Sequence, residues 1–341
     1  MTDAPSRIAT DIDFDRDGKQ ASFLRAPSST NRSAYGAVPI PITVIKNGRG
    51  PTLLMTGAVH GDEYEGPIAL AKLARSLQPD AVSGRLILLP ALNPPALLAG
   101  ARLSPVDGLN LNRVFPGAAD GSLTSTIAHY VSTVLIPLAD IVVDLHSGGA
   151  TLDYIPCVLL REQADPARMR ATLAAVMAFG APIALVAREP DDTVYLDTVA
   201  ERLGKIALLA ELGGAATVDK GNLAIAELGV QNLLRHFGLV AGAVVPPAGV
   251  GRAATRLMQT PDAACYATAM EDGTYEPFVA LGDAVAAGQA LGQIHFLQRH
   301  DRAPVAVVSR RSGRLICRRP LARVEPGDCV GIVACDYPTP G

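Results

Sequence analysis

Along the first two thirds of the chain, short runs of wholly apolar residues alternate with longer segments of helical periodicity, which limits the folds open to it. Leu53-Leu54-Met55, Leu86-Ile87-Leu88-Leu89, Ile141-Val142-Val143, residues 183–187 and Ala207-Leu208-Leu209-Ala210 each read as a strand that is apolar on both faces. Such strands belong to a sheet sandwiched between helices, not to one with a solvated face. Between them, residues 64–77 place Ile68, Leu70, Ala71, Leu73, Ala74 and Leu77 at helical spacing. Further helices are predicted over 122–138, 165–179, 194–203 and 220–237. The expected architecture is α/β, a sheet flanked by helices. Residues 37–46 read as another strand, and Asn47-Gly48 predicts a hairpin from it into the run around Leu53, so that an antiparallel pair opens the sheet.

Beyond about residue 240 the texture changes. Val244-Val245-Pro246-Pro247-Ala248-Gly249 reads as a linker, and short β-like pieces follow, punctuated by Asp272-Gly273, Gly282-Asp283, Ala287-Gly288, Ser312-Gly313 and Gly327-Asp328. At 341 residues the chain exceeds the usual size of a single core, so a catalytic unit over 1–240 and an all-β appendage over 250–341 are expected. Residues 282–292 resemble the half-barrel repeat of lipoyl and biotinyl carrier domains, but no lysine follows Lys220. Without a carrier lysine, the appendage is expected to be a structural or lid module.

Ligands of such α/β folds gather at the carboxyl ends of the strands. His60 and Glu63 follow the first apolar run, His146 closes the run from Ile141, and Glu211 ends the run from Ile206. Two imidazoles and one carboxylate delivered from strand ends are the donor set of a catalytic zinc, which keeps a fourth position for water. A lone His near a strand end is more often an ordinary polar residue, and His129, His236, His295 and His300 are assigned to that class. His60 and His146 differ because a His-x-x-Glu turn coincides with a distant strand-terminal His. Glu211 is a lone carboxylate on an apolar strand, which demands a partner or a task. It reads either as half of a structural ion pair or, the preferred reading, as the base that takes a proton from water and hands it to a leaving amine. On the loop over 101–117, Arg113 offers a planar fork for a substrate carboxylate, Asn112 adds a donor, and Arg102 suits a scissile carbonyl. The alternative for these arginines is solvated charge on a long loop.

Other classes are disfavoured. Net charge is −3 without a basic block, which argues against a nucleic-acid partner. Five cysteines with no C-x-x-C pair argue against a disulfide framework or thiolate metal site and fit a reducing cytosol. The N-terminal residues mix Arg7, Asp11, Asp13 and Arg16 rather than forming a signal peptide. Residues 86–101, broken by Asn93-Pro94-Pro95, are too short to span a membrane. A soluble cytoplasmic protein is expected, with a small molecule as its partner and a homo-oligomer among the allowed assemblies.

Four ordered motifs, His60-x-x-Glu63, Asn110-Leu111-Asn112-Arg113-x-Phe115-Pro116-Gly117, Asp144-Leu145-His146-Ser147-Gly148-Gly149 and Glu211-Leu212-Gly213-Gly214, resemble the aspartoacylase and succinylglutamate desuccinylase family. The resemblance runs from about residue 36 to about 295. It implies a carboxypeptidase-like mixed sheet, one Zn2+ ion and hydrolysis of an N-acyl amino acid. By motif, His60, Glu63 and His146 match the zinc ligands, Glu211 the catalytic acid/base, Asn112 and Arg113 the substrate-carboxylate clamp, and Arg102 the carbonyl-polarising arginine. Asn110 stands where many members have Asp. A narrower resemblance, to the deacetylases of N-acetyl-2,4-diaminobutyrate in ectoine breakdown, rests on Asp13-Phe14-Asp15-Arg16-Asp17-Gly18, residues 41–48, residues 60–70 and residues 147–154. The implied substrate carries a carboxylate for Arg113 and an amine that wants a carboxylate partner, with Asp153, Asp191 and Asp192 as unranked candidates. Aspartoacylase or succinylglutamate desuccinylase activity, a peptide carboxypeptidase and a non-catalytic binding protein are the alternatives.

Overall fold

The computed structural model describes residues 5–188 and 194–338. Strands β1 (Gly18–Pro27) and β2 (Ala37–Asn47) form an antiparallel pair, with Gly18 opposite Lys46. Next come β3 (Thr52–Gly57), helix α1 (Glu65–Ser76), β4 (Gly84–Leu89) and the short helix α2 (Pro94–Ala99), whose first turn is capped by the Asn93 side chain accepting the Ala96 N–H. The helix predicted over 122–138 is continuous but not uniform: α3 (Leu123–Tyr130) runs through a π-helical turn, Val131–Leu135, into α4 (Ile136–Leu138). Then follow β5 (Ile141–His146), β6 (Asp153–Tyr154), β7 (Cys157–Arg161), α5 (Pro166–Phe179), β8 (Ile183–Ala187), α6 (Leu196–Arg202), β9 (Ile206–Glu211) and α7 (Lys220–His236).

The main sheet begins in the order β1-β2-β4-β3-β5-β9-β7-β8. This mixed sheet is the expected α/β core, with one correction: Asn47-Gly48 does not make a hairpin between β2 and β3. Instead β2 pairs antiparallel with β4, and β4 pairs parallel with β3, Thr52 opposite Arg85. The crossover through α1 makes β4 the neighbour of β3, because a strand, a helix and a second parallel strand close on adjacent positions. All six residues of β3 are buried, which suits an interior strand between β4 and β5.

Strand alternation sorts the core into two layers. Leu53 and Met55 of β3, Leu86 and Leu88 of β4 and Val143 and Leu145 of β5 join α1, α5 and α7 on one face. Leu54, Ile87, Leu89 and Val142 pack on the other against α3, the π turn and α6. From β3 the chain crosses through α1 to β4 on one side, then through α3 to β5 on the other. A crevice therefore opens beyond the carboxyl ends of β3 and β5, the position where ligands of open α/β sheets bind.

The C-terminal segment supplies β10 (Arg256–Thr260), β11 (Tyr266–Thr268), β12 (Gly273–Pro277), β13 (Ala284–Val285), β14 (Ala290–His295), β15 (Val305–Val308), β16 (Gly313–Arg318), β17 (Arg323–Val324) and β18 (Cys329–Asp336). Strands β15-β14-β12-β17 form a separate antiparallel sheet over a small core that includes Tyr275, Leu291 and Ile294. The main sheet does not stop at residue 240. Strand β10 adds parallel to β8 over five residue pairs, from Arg256 opposite Ile183 to Thr260 opposite Ala187, and then carries β18, β16 and β13.

Gly61, directly after His60, is required by close approach. A Cβ there would lie 1.9 Å from the Ala96 carbonyl oxygen of α2. Gly48, by contrast, has nothing within 4 Å of its virtual Cβ and only a positive φ of 63°. Gly61→Ala is expected to cost at least about 3 kcal/mol and Gly48→Ala about 1 kcal/mol, read as urea-unfolding midpoints. Equal losses would contradict the close-contact account.

Candidate active site

Three neighbouring parallel strands, β3, β5 and β9, deliver the central residues. His146 and Glu211 are the last residues of β5 and β9 and lie opposite one another in the ladder. His60 and Glu63 follow three and six residues after the end of β3. Ala58, between strand and turn, has a φ of 52°, a left-handed conformation unfavourable for a residue with a Cβ and characteristic of backbone held for function.

Glu63 is the hub, fully enclosed between the two imidazoles. Its Oε1 lies 2.7 Å from His60 Nδ1 and its Oε2 lies 2.8 Å from His146 Nδ1. The Ser147 N–H donates to Oε2 at 3.1 Å. Burial alone would raise the Glu63 pKa, but the two histidines outweigh it and hold the carboxyl well below its ordinary value. Burial likewise opposes charge on His146, yet the carboxylates of Asp144 and Glu63 carry its pKa well above the usual imidazole value.

The outward ring nitrogens explain what the inward ones are for. His146 Nε2 lies 2.8 Å from Asp144 Oδ2, an acceptor that fixes the proton on Nε2, and Asp144 Oδ1 accepts the Thr56 hydroxyl at 2.7 Å. His60 Nε2 lies 3.0 Å from Asn110 Oδ1, which is identified as the oxygen because it also accepts the Asn112 N–H at 2.9 Å. Both histidines therefore point an Nδ1 lone pair at an ionised carboxylate, an arrangement that only protons or a cation between them can relieve. His60, Glu63 and His146 place their ligand atoms within 4.8 Å of one another, the one such metal-capable group among the described residues. Two nitrogen donors, one oxygen donor and second hydrogen bonds on both rings fit a metal of zinc's preferences.

Glu211 borders the cleft and is half-buried as a residue, but its Oε2 has neither solvent nor a hydrogen-bond partner among the described residues. Burial, reinforced by the Glu63 charge, pushes its pKa up to about 8. The following turn is stitched to the loop after β5: the Gly148 and Tyr154 N–H groups donate to the Gly213 carbonyl. Gly214, at φ 155°, would press a Cβ to 2.0 Å from the Leu152 carbonyl oxygen.

The loop residues reach the same cavity of about 620 Å3. Arg102 Nη1 lies 3.6 Å from Glu63 Oε1 and 3.4 Å from His60 Nδ1. The Asn112 side-chain Oδ1 accepts the Leu196 N–H at 3.0 Å, which turns the Nδ2 of the same amide toward His146 Nε2 at 3.4 Å. The Arg113 guanidinium stacks 4.3 Å from the Tyr195 ring centroid. All seven residues singled out in the sequence thus line one cavity. Of the acids considered for a substrate amine, Asp153 pairs with Arg318 at 3.0 Å and does not line it, and Asp191 and Asp192 lie outside the described residues. Of the other histidines, His129 is buried in α3, His295 pairs with Glu276 at 2.7 Å, and neither they nor His236 and His300 line the cavity. Sequence reasoning gave no role to Tyr154, which ends the stretch after His146, and missed Tyr195, Thr260, Asp262 and Tyr266, which line the cavity without sharing a motif with the donors.

A mixed α/β sheet carries over its switch point a His–Glu–His group that could hold a metal ion, with a buried carboxyl oxygen beside it, an arrangement that suits an amidohydrolase. The chain belongs to the succinylglutamate desuccinylase/aspartoacylase family, whose catalytic domain matches residues 49–237. It is 46% identical over 330 residues to the N-alpha-acetyl-L-2,4-diaminobutyric acid deacetylase of Halomonas elongata, covering 97% of this chain and 95% of that protein. Among solved structures, the succinylglutamate desuccinylase/aspartoacylase from Rhodobacter sphaeroides matches at TM-score 0.93 and 45% identity, covering 97% of this chain and all of that one. The product-bound ectoine utilization protein EutE (DoeB) from Ruegeria pomeroyi matches at TM-score 0.93 and 42% identity, covering 97% and 99%.

Two outcomes are expected. Replacing the Asn110 acceptor, as in Asn110→Leu, should weaken metal binding by about 10- to 100-fold in chelator competition, while Asn110→Asp should retain or tighten it. A carboxyl whose folded pKa exceeds its unfolded value favours the fold fully below the unfolded value near 4.5 and loses that contribution as pH rises through about 8. In metal-stripped protein, Glu211→Gln should therefore raise Tm by at least about 2 °C at pH 9 and by much less at pH 4.5. A gain independent of pH would contradict the burial argument.

Proposed function

We propose that this enzyme hydrolyses the amide of N-acetyl-L-2,4-diaminobutyrate to acetate and 2,4-diaminobutyrate, using zinc held by His60, Glu63 and His146. The observation that carries this reading is the buried Oε2 of Glu211, without a hydrogen-bond partner among the described residues, beside that donor set in a cavity of about 620 Å3 suited to one small acyl amino acid. The 46% identity to a relative named for that deacetylation supports the choice of substrate. When bound, zinc supplies Lewis-acid polarisation of the carbonyl and acidifies water.

Glu211 accepts a proton from the attacking water as the new carbon–oxygen bond forms, and returns it to nitrogen as the carbon–nitrogen bond breaks. Both water protons end on the released amine, leaving acetate as the anion. Glu211 is raised by burial and by Glu63, and neutralising that neighbouring carboxylate returns it toward neutral pH, where a proton carrier works best. Arg102, exposed at the mouth and close to Glu63, holds the developing negative charge on the carbonyl oxygen. Arg113 and the Asn112 amide bind the α-carboxylate, with Tyr195 bracing the guanidinium.

The partition into a catalytic unit over 1–240 and an appendage over 250–341 is part of this reading, with the appendage walling the cleft through Thr260, Asp262, Tyr266 and Ile332. That wall favours small substrates over peptides. No helix among the described residues is long and apolar enough to cross a membrane. The five free cysteines suit the reducing cytoplasm in which we propose that the enzyme works.

Amine release from N-acetyl-2,4-diaminobutyrate, N-acetylaspartate, N-succinylglutamate and a short peptide, with and without chelator, tests the reading. Chelator-sensitive turnover of the first compound above the others is expected, and Glu211→Gln should lower kcat by roughly 100- to 10,000-fold with zinc content retained. Preference for another compound would overturn the substrate, and full activity of Glu211→Gln would overturn its role.

A further inference from the structure

We propose that Thr260 and Asp262, at the end of β10 and in the turn after it, form the subsite that receives a cationic substrate side chain. The inference rests on the reading of the substrate as an N-acyl amino acid with a short amine-bearing side chain. Among the described residues, three carboxylates line the cavity: Glu63, Glu211 and Asp262. Glu63 is committed to the two histidines and Glu211 to proton transfer, which leaves Asp262, itself paired with Arg311, as the remaining carboxylate that a substrate cation can meet.

Thr260 supplies an independent observation. It is 1% exposed and lines the cavity, yet its Oγ1 has no hydrogen-bond partner among the described residues. A buried hydroxyl without a partner is costly, and an ammonium donating to it removes that penalty. Asp262 is held in place: Oδ1 accepts the Ala264 N–H at 2.9 Å and Oδ2 pairs with Arg311, which does not line the cavity. Two carboxylate oxygens offer about four lone pairs, so an ammonium can join these partners. The other cation on this side, Arg188, is paired with Glu162 at 3.1 Å.

Thr260 and Asp262 lie outside residues 49–237, the part that matches the family's catalytic domain. The reaction machinery and the selection of the side chain would thus come from different parts of the chain, joined where β10 pairs with β8.

The test compares the zinc-loaded full chain and its Asp262→Asn, Thr260→Val and Arg311→Gln variants on N-acetyl-2,4-diaminobutyrate and N-acetyl-2-aminobutyrate, which lacks the side-chain ammonium. The preference for the cationic compound, as a ratio of kcat/KM values, should fall about tenfold or more in Asp262→Asn and less in Thr260→Val, with the loss in KM. Arg311→Gln should keep the preference, because the carboxylate remains. An unchanged ratio in Asp262→Asn, an equal loss on both compounds, or the same ratio change in Arg311→Gln would overturn the subsite. If the unaltered enzyme itself prefers the uncharged compound, the substrate reading fails and the subsite with it, an outcome distinct from the other three.

Discussion

Two imidazole lone pairs directed at one buried, ionised carboxylate cannot coexist unless positive charge lies between them. That constraint organises the site around Glu63. It explains why Asp144 and Asn110 hold the outward ring nitrogens, because a proton fixed at each Nε2 leaves each Nδ1 free to coordinate. It also explains the Ser147 N–H and the guanidinium of Arg102, both of which turn positive charge toward the same carboxylate. The raised Glu211 is the other side of this balance: a second carboxyl beside Glu63, with one oxygen unpartnered, favours its protonated form.

The backbone meets the geometric demand. Parallel strands β3, β5 and β9 end side by side, so residues distant in sequence meet without long reaches. The tight turns after them are stitched to one another and to α2 at distances that leave no room for a Cβ at Gly61 or Gly214. The strained Ala58 backbone is tolerated because buried packing of β3 holds it from one side and the hydrogen bonds of His60 from the other.

Much of this was legible in the sequence, because strands buried on both faces leave unbroken apolar runs and chemistry at their ends appears as isolated polar residues. His60, Glu63, His146 and Glu211 stood out in that way. Strand order was less legible: Asn47-Gly48 reports a local turn, whereas the position of β4 between β2 and β3 follows from the crossover through α1. The wall of Thr260, Asp262 and Tyr266 was hidden for a different reason. Their role depends on β10 docking beside β8, a long-range pairing that leaves no periodic trace near residue 260. Asp153 looked available in sequence and is instead bound by Arg318 of β16.

The ladder between β8 and β10 bears on how the cleft is entered. Hinged covers ride on loops that swing without breaking backbone pairing. Here the wall begins on a strand bonded over five residue pairs into the central sheet, and β18 continues that sheet from β10. Swinging the wall aside would mean tearing the sheet. Under the proposed function, selection by size would then be a standing property of the molecule, set when the chain folds and not renewed at each turnover, with traffic of substrate and product left to side chains and loops at the rim.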